Sequence, residues 1–157
     1  MNIEITENII RGSIIYALHN KFGDNYKYYD ENIDQGFEKP SFHVFRFDAI
    51  NKKGYTGNEY SFENTSYRFR IKYFSNENYK VVEDNNNKID DLKQLFKYLE
   101  IVNIDGDKVY SKSNRVNQIE YITEDGVLIF DLLLDIRTLQ HLEISKVKAN
   151  VLTEDIK

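Results

Sequence analysis

A spacing of four residues between apolar positions marks the first element of the chain. The residues that follow this spacing are Ile10, Ile14, Leu18 and Phe22. They share one face of a helix, which we predict over residues 7–21. Thr6 stands where an N-cap is needed, and Gly23 follows the last apolar residue, where helices commonly end. The pattern therefore predicts a helix that packs its apolar face on a sheet.

A second helical spacing lies in the middle of the chain. Its apolar positions are Ile89, Leu92, Leu95, Phe96 and Leu99. They predict a helix over about residues 88–100, with Asn87 as the N-cap and Asp90 in the first turn.

Strict alternation marks a strand from Ser66 to Phe74. One side of this strand is aromatic or aliphatic and the other is cationic, with Arg68, Arg70 and Lys72. This pattern predicts one face on the core and a row of cations on the opposite face. We also predict strands over residues 26–32 and 41–48. The second of these is apolar on both faces, which indicates a central position in the sheet.

Glycine-containing turns divide the C-terminal part into further strands. Asp105-Gly106-Asp107 separates strands predicted over residues 101–104 and 108–110. Glu124-Asp125-Gly126 joins strands predicted over residues 115–123 and 127–137 in a hairpin.

The last of these strands has one apolar face and one mixed face. The mixed face carries Asp131 and Asp135 among aliphatic residues. Such a face suits a partly covered interface better than open solvent, so both aspartates are candidate interface residues. From about residue 138 onward the chain becomes polar, and we expect a tail there.

The stretch from Ala49 to Asn64 contains glycines and scattered aromatic residues, and we predict an extended arm. Long loops in compact domains are commonly functional. The candidate docking residues of this arm are Tyr55, Gly57, Asn58, Tyr60 and Phe62.

These elements together predict an α+β fold. We expect a mixed or antiparallel β-sheet of about five to six strands packed against two α-helices. The length of 157 residues fits one domain over residues 1–157.

Composition narrows the classes of function. The net charge of −5 disfavours a nucleic-acid binder, and the absence of cysteine excludes disulfides and thiolate metal sites. The acidic N-terminus resembles no signal peptide, and no apolar run is long enough to cross a membrane. The 12 tyrosines exceed what a core accommodates, so some are expected at protein interfaces.

Catalytic chemistry has no recognisable constellation. His19, His43 and His141 lie far apart, and no phosphate-binding or nucleophile motif is present. The aspartates of the hairpin turns stand where turn geometry alone places them. We therefore expect no enzyme, no catalytic residues, no cofactor and no metal.

Several segments resemble those of tail terminator proteins from phages and prophages of Gram-positive bacteria. Gln35-Gly36, followed by Pro40 and Phe42, is similar to the family's QG-x-x-x-P-x-F signature. The other similar segments are Gly57-Asn58-Glu59-Tyr60, Tyr67-Arg68-Phe69, Tyr73-Phe74, Asp105-Gly106-Asp107 and Asp125-Gly126-Val127-Leu128 with Phe130. The resemblance covers roughly residues 5–137.

This resemblance implies a structural virion protein that forms a ring, typically a hexamer, at the head-proximal end of the tail. The ring would cap the tail tube, stop its polymerisation and offer a surface to neck or head–tail connector proteins. In a contractile tail it would also contact the sheath protein. DNA would only pass through the lumen, and assembly would take place in the cytoplasm of the bacterial host. Gln35 and Gly36 then join the interface candidates.

Other functions stay open at this point. A neck or head–tail joining protein has the same needs as a terminator. A small nucleic-acid-binding module could use Arg68, Arg70 and Lys72 to hold phosphates while tyrosines stack on bases. The same cations could instead form salt bridges to a neighbouring subunit. A metal-assisted hydrolase on the turn aspartates is the least favoured.

Overall fold

The computed structural model describes residues 5–30, 36–55, 60–105 and 108–141, with the backbone alone at 55, 60–62, 104, 105, 108, 110 and 138–141. Two helices and seven strands follow one another along this part of the chain. In chain order they are α1 (Glu7–Phe22), β1 (Lys27–Tyr29), β2 (Ser41–Tyr55), β3 (Tyr60–Phe74), α2 (Val81–Leu95), β4 (Tyr98–Asp105), β5 (Lys108–Arg115), β6 (Gln118–Glu124) and β7 (Val127–His141).

The strands form two sheets. A five-stranded sheet has the order β1-β2-β3-β7-β6, and β4 and β5 form a separate two-stranded sheet. β1 runs parallel to β2, while every other neighbouring pair in the larger sheet is antiparallel. The α+β prediction, with a mixed sheet and two helices, is confirmed.

Helix α1 agrees with its sequence pattern to within one residue. The Thr6 side chain accepts a hydrogen bond from the backbone N–H of Ile9, and the N–H of Gly23 donates to the carbonyl of His19. Gly23 has a φ of 81°, a region that glycine reaches without steric cost. Both predicted ends of the helix are confirmed.

Helix α2 lies earlier than predicted. It spans Val81–Leu95, so Asn87 is not its N-cap and Asp90 does not lie in its first turn. The pattern was misleading because the first half of α2 buries polar residues: Asn85 is 1% exposed and Lys88 is 7% exposed. The residues from Tyr98 onward belong to β4 instead.

The prediction of a loop-like arm over residues 49–64 is wrong. β2 and β3 continue through most of this stretch, and they pair with each other from Ser41↔Phe74 to Tyr55↔Ser61. β7 pairs with the other side of β3 as far as Tyr60↔His141. Partners on both sides of β3 satisfy its backbone hydrogen bonds, so a polar sequence is held as a strand.

Three other strand boundaries also differ from the prediction. The first strand is confined to Lys27–Tyr29, and the strand predicted over residues 115–123 is divided between β5 and β6. Buried Val116 lies between these two strands. β7 continues to His141, past the predicted end at residue 137; residues 142–157 lie outside the described part of the chain.

The core lies on one face of the five-stranded sheet, beneath both helices and β4. Alternate residues at the start of β2, in the second half of β3 and in β7 point into it, as strand geometry requires. Its fully buried members include Phe42, Val44, Phe69, Ile71, Leu128, Phe130, Leu132, Ile10, Ile14, Leu18, Leu92 and Phe96. The other side of the same sheet carries no helix in the described chain, and we call it the outer face.

Candidate assembly interface

The outer face brings the predicted cations and acids together in rows across the strands. In one row, Phe45 of β2 is opposite Arg70 of β3, Arg70 is opposite Asp131 of β7, and Asp131 is opposite Glu120 of β6. The rows arise because the register aligns the polar side of β3 with the mixed side of β7. Side chains opposite each other in adjacent strands lie close enough to interact directly.

Arg70 and Asp131 form a two-pronged ion pair at the centre of this face. Nε of Arg70 donates to Oδ1 of Asp131 at 2.8 Å, and a terminal guanidinium nitrogen donates to Oδ2 at 3.0 Å. The hydrogen bond to Asp131 raises the pKa of Arg70. Asp131 is only 4% exposed, so the two hydrogen bonds from Arg70 compensate a carboxylate that is almost fully removed from water.

Arg68 is paired within the chain as well. Its guanidinium lies 3.2 Å from a carboxylate oxygen of Glu120 and 3.5 Å from one of Asp131. Lys72 lies 5.6 Å from the centroid of the Phe45 ring. The predicted row of cations therefore exists, but its two arginines are already occupied by carboxylates of β6 and β7.

Phe47 is a member of this face that the sequence pattern did not single out. The register between β2 and β3 shifts between Arg46 and Asp48, which makes Phe47 the extra residue of a β-bulge. Its ring lies 3.9 Å from the guanidinium carbon of Arg70 and is 50% exposed. A half-exposed phenylalanine ring over an anchored arginine combines two residue types that are enriched at protein interfaces.

A groove of about 320 Å³ continues the outer face toward the far end of the sheet. Asp135 lies in it and accepts hydrogen bonds from the Ser66 hydroxyl at 2.5 Å and from the Asn117 side-chain amide. Ile50, which is 60% exposed, and Leu133 add apolar surface to the same groove. The face of β7 that was predicted to be mixed thus lines a groove, in which hydrogen-bonded polar groups lie between aliphatic side chains.

The remaining candidate residues do not meet at the centre of this face. The backbones of Tyr55, Tyr60 and Phe62 belong to the far end of β2 and β3, and their side chains lie outside the described part. Gln35, Gly57 and Asn58 lie outside it as well. Gly36 is exposed and has a φ of 102°, which a side chain would strain.

Next to Gly36, an aromatic cluster closes the near end of the outer face. Phe37, Tyr29 and Phe74 pack around His43, with ring centroids between 4.6 and 6.4 Å apart. Burial and the nearby charge of Lys72 lower the pKa of His43. The imidazole is 3.2 Å from the Ser41 hydroxyl, but both residues are buried, so this pair is part of the packing.

Within residues 5–30, 36–55, 60–105 and 108–141, no group of three or more metal-binding side chains converges. Neither of the two helices in these ranges is long and apolar enough to span a membrane.

The described residues form a small α+β fold whose outer face combines fixed ion pairs with exposed aromatic and aliphatic side chains. The chain belongs to the phage tail terminator protein family: the family's model matches residues 9–146. A search of curated proteins found none that matches the chain. The family match extends past residue 137, where the resemblance of the individual segments ended.

Membership in this family gives the chain a structural role in completing the phage tail. It is a component of the virion tail that assembles with itself and with other tail proteins. The family consists of structural virion proteins.

Proposed function

We propose that the protein forms a ring, a hexamer, on the last ring of the tail tube at the head-proximal end. The ring ends polymerisation of the tube and, in a contractile tail, of the sheath. It then presents a surface to the neck or head–tail connector. The particle belongs to a phage or prophage of a Gram-positive host and is assembled in the bacterial cytoplasm. The whole chain works as one domain without catalysis.

The observation that carries this proposal is the family match over residues 9–146. The outer face supports it with a surface suited to a protein partner. Phe47 and Ile50 stay exposed there, while Arg68, Arg70 and Asp131 are held in place by their ion pairs. Side chains held rigid before binding lose little conformational entropy when a partner arrives.

The nucleic-acid-binding alternative is disfavoured by the same geometry. A protein binds phosphates through cations that release counterions, and Arg68 and Arg70 already neutralise Glu120 and Asp131. The net charge of −5, repeated around a ring, would repel DNA that passes through the lumen. DNA is thus a passenger rather than a ligand in this proposal.

Three experiments test the ring and its place. Light scattering after size-exclusion chromatography, with and without purified tail tubes, should give a closed oligomer that electron microscopy locates at one tube end. Deletion of the gene should release tubes of uncontrolled length. A protein that stays monomeric with tubes present, in a phage whose tubes keep normal length without it, would contradict the proposal. Labelling at the connector but not at the tube end would favour a neck protein instead.

A further inference from the structure

β5 and β6 are regular strands, and each of them has one backbone edge without a partner strand within the described chain. β6 is the last strand of the five-stranded sheet, and β5 is the outer strand of the two-stranded sheet. Both pair with their single neighbour without a register shift, and neither contains proline. An open, regular edge is a template for another strand unless the protein blunts it.

The other edges of these two sheets are interrupted or partly covered. β1 is only three residues long, and β2 beyond it carries the bulge at Arg46 and Asp48. The free side of β4 faces α1, where the Ser13 hydroxyl accepts a hydrogen bond from the backbone N–H of Val102 at 2.9 Å. Of the usual protections of an edge, β5 and β6 carry charged side chains but have no bulge, no proline and no shortening of the strand.

The two open edges carry opposite charges. β5 contains Lys108, Lys112 and Arg115 and no acidic residue, whereas β6 contains Glu120 and Glu124 and no basic residue. Lys112, Arg115 and Glu124 are exposed and form no ion pair within the part of the chain that the structure describes. The two strands are also similar in length, at eight and seven residues.

Each edge also exposes large apolar side chains. Val109 on β5 is 64% exposed, and Tyr121 and Ile122 on β6 are 48% and 61% exposed. Side chains of this kind gain from cross-strand contact when a second strand is added to the sheet.

We propose that β5 of one copy adds to β6 of the next copy, so that the larger sheet of one subunit continues into the hairpin of its neighbour. This inference rests on the proposed ring. The contact joins two different surfaces, and repetition of such a head-to-tail contact closes into a ring when the rotation between subunits divides a full turn. Complementary charge favours β6 as the partner of β5, and it disfavours contacts between two β5 strands or between two β6 strands.

Two charge-reversed variants test the contact. Lys112→Glu with Arg115→Glu makes β5 acidic, and Gln118→Lys with Glu124→Lys makes β6 basic. Each variant alone would place like charges opposite each other in every contact. We expect the protein concentration at half-maximal ring formation to rise at least about tenfold for each, measured by light scattering. Circular dichroism checks that each variant remains folded.

A one-to-one mixture of the two variants should restore the rings. The acidic β6 of the first variant then meets the basic β5 of the second, and the reverse holds at the next contact. Subunits must alternate, so the mixture closes only rings of even order, as a hexamer is. Differential tagging and native mass spectrometry would show equal numbers of the two variants in each ring.

A matched control for the first variant is Lys21→Glu with Lys80→Glu, which likewise replaces two exposed cations by glutamates but leaves β5 and β6 untouched; its ring formation should equal that of the wild type. Rings formed by either reversed variant as readily as by the wild type would overturn the contact, as would a mixture that fails to restore them. In both cases a wild-type ring at the tube end leaves the terminator function standing. A wild-type protein that forms no ring with tubes present overturns the proposed function itself.

Discussion

Two ion pairs on opposite sides of the same sheet differ in their surroundings. On the core side, Nζ of Lys88 lies 3.2 Å from Asp84 and between 5.2 and 5.6 Å from the ring centroids of Phe22, Tyr26 and Tyr73. On the outer face, Arg70 pairs with Asp131 beneath Phe47, whose ring is half-exposed. Lys88 of the first pair is buried among aromatic rings and Asp84 is only partly exposed, whereas the second pair lies beneath the exposed ring that we propose as a partner contact.

The electrostatic consequences differ in the same way. Burial opposes both charges of the core pair. Hydrogen bonds from Ser75, Tyr73 and Lys88 nevertheless hold the pKa of Asp84 below its usual value, and the interactions with Tyr26 and Asp84 raise the pKa of Lys88. Burial and the bond to Asp84 also raise the pKa of Tyr73. The core pair therefore ties α2 to β3, and we expect its loss to affect stability rather than assembly.

The largest effect is expected from Lys88→Met. The substitution leaves Asp84 without its cation, and breaking a buried ion pair costs about 3 kcal/mol of unfolding free energy. Urea denaturation followed by circular dichroism measures this loss. The exposed counterpart Lys80→Met should change stability by less than about 0.5 kcal/mol. Equal effects of the two substitutions would show that the buried pair contributes nothing.

Arg70→Met should have the next largest effect. It removes both hydrogen bonds to the buried carboxylate of Asp131 and leaves only the longer contact from Arg68, for a loss of about 2 kcal/mol. Arg70→Lys should recover only part of it, because an ammonium cannot donate the two parallel hydrogen bonds of a guanidinium. Full recovery by lysine would mean that charge alone, and not the two-pronged geometry, matters here.

The two helices show which parts of the fold could be predicted from the sequence. The four-residue apolar spacing and the Thr6 cap located α1 to within one residue, because there burial and polarity coincide. In α2 burial and polarity do not coincide, because Asp84, Asn85 and Lys88 are polar yet buried or half-buried. The predicted helix was therefore placed too far toward the apolar second half of α2. Such burial depends on partners from other elements, which no local pattern contains.

The sequence predicted which residues lie on the outer face but not which of them contact each other. Strict alternation in β3 and the mixed residues of β7 placed Arg70 and Asp131 on exposed sides of their strands. Their pairing depends on the register Arg70↔Asp131, and two antiparallel strands separated by more than fifty residues carry no local signal of register. The bulge that exposes Phe47 likewise depends on how β2 fits against β3.

His43 shows that the outer side of the sheet also contains a buried titratable group, because this residue is only 4% exposed. Burial and Lys72 lower its pKa below the ordinary value of 6.5. The unfolded chain then binds more protons than the folded chain between that lowered pKa and pH 6.5. Unfolding free energy should therefore fall as pH decreases below about 6.5 and be independent of this residue at higher pH.

His43→Gln removes the titrating group and should flatten that part of the pH profile, as measured by urea denaturation between pH 5 and pH 8. A profile with an unchanged slope would assign the pH dependence to other groups.

Phe47→Ala should have the smallest effect on stability and the clearest effect on assembly. The ring is half-exposed, so its removal costs little burial, and its stacking on the guanidinium of Arg70 contributes about 0.5–1 kcal/mol. Attachment to tail tubes, measured by co-sedimentation, should weaken because an exposed aromatic anchor is lost. Tyr79→Ala, which removes a ring that is 99% exposed and lies before α2, is the matched control and should leave attachment unchanged. If Phe47→Ala destabilised the fold as much as Lys88→Met while tube attachment stayed intact, the outer face would be a second structural surface, and the division of roles between the two ion pairs would fail.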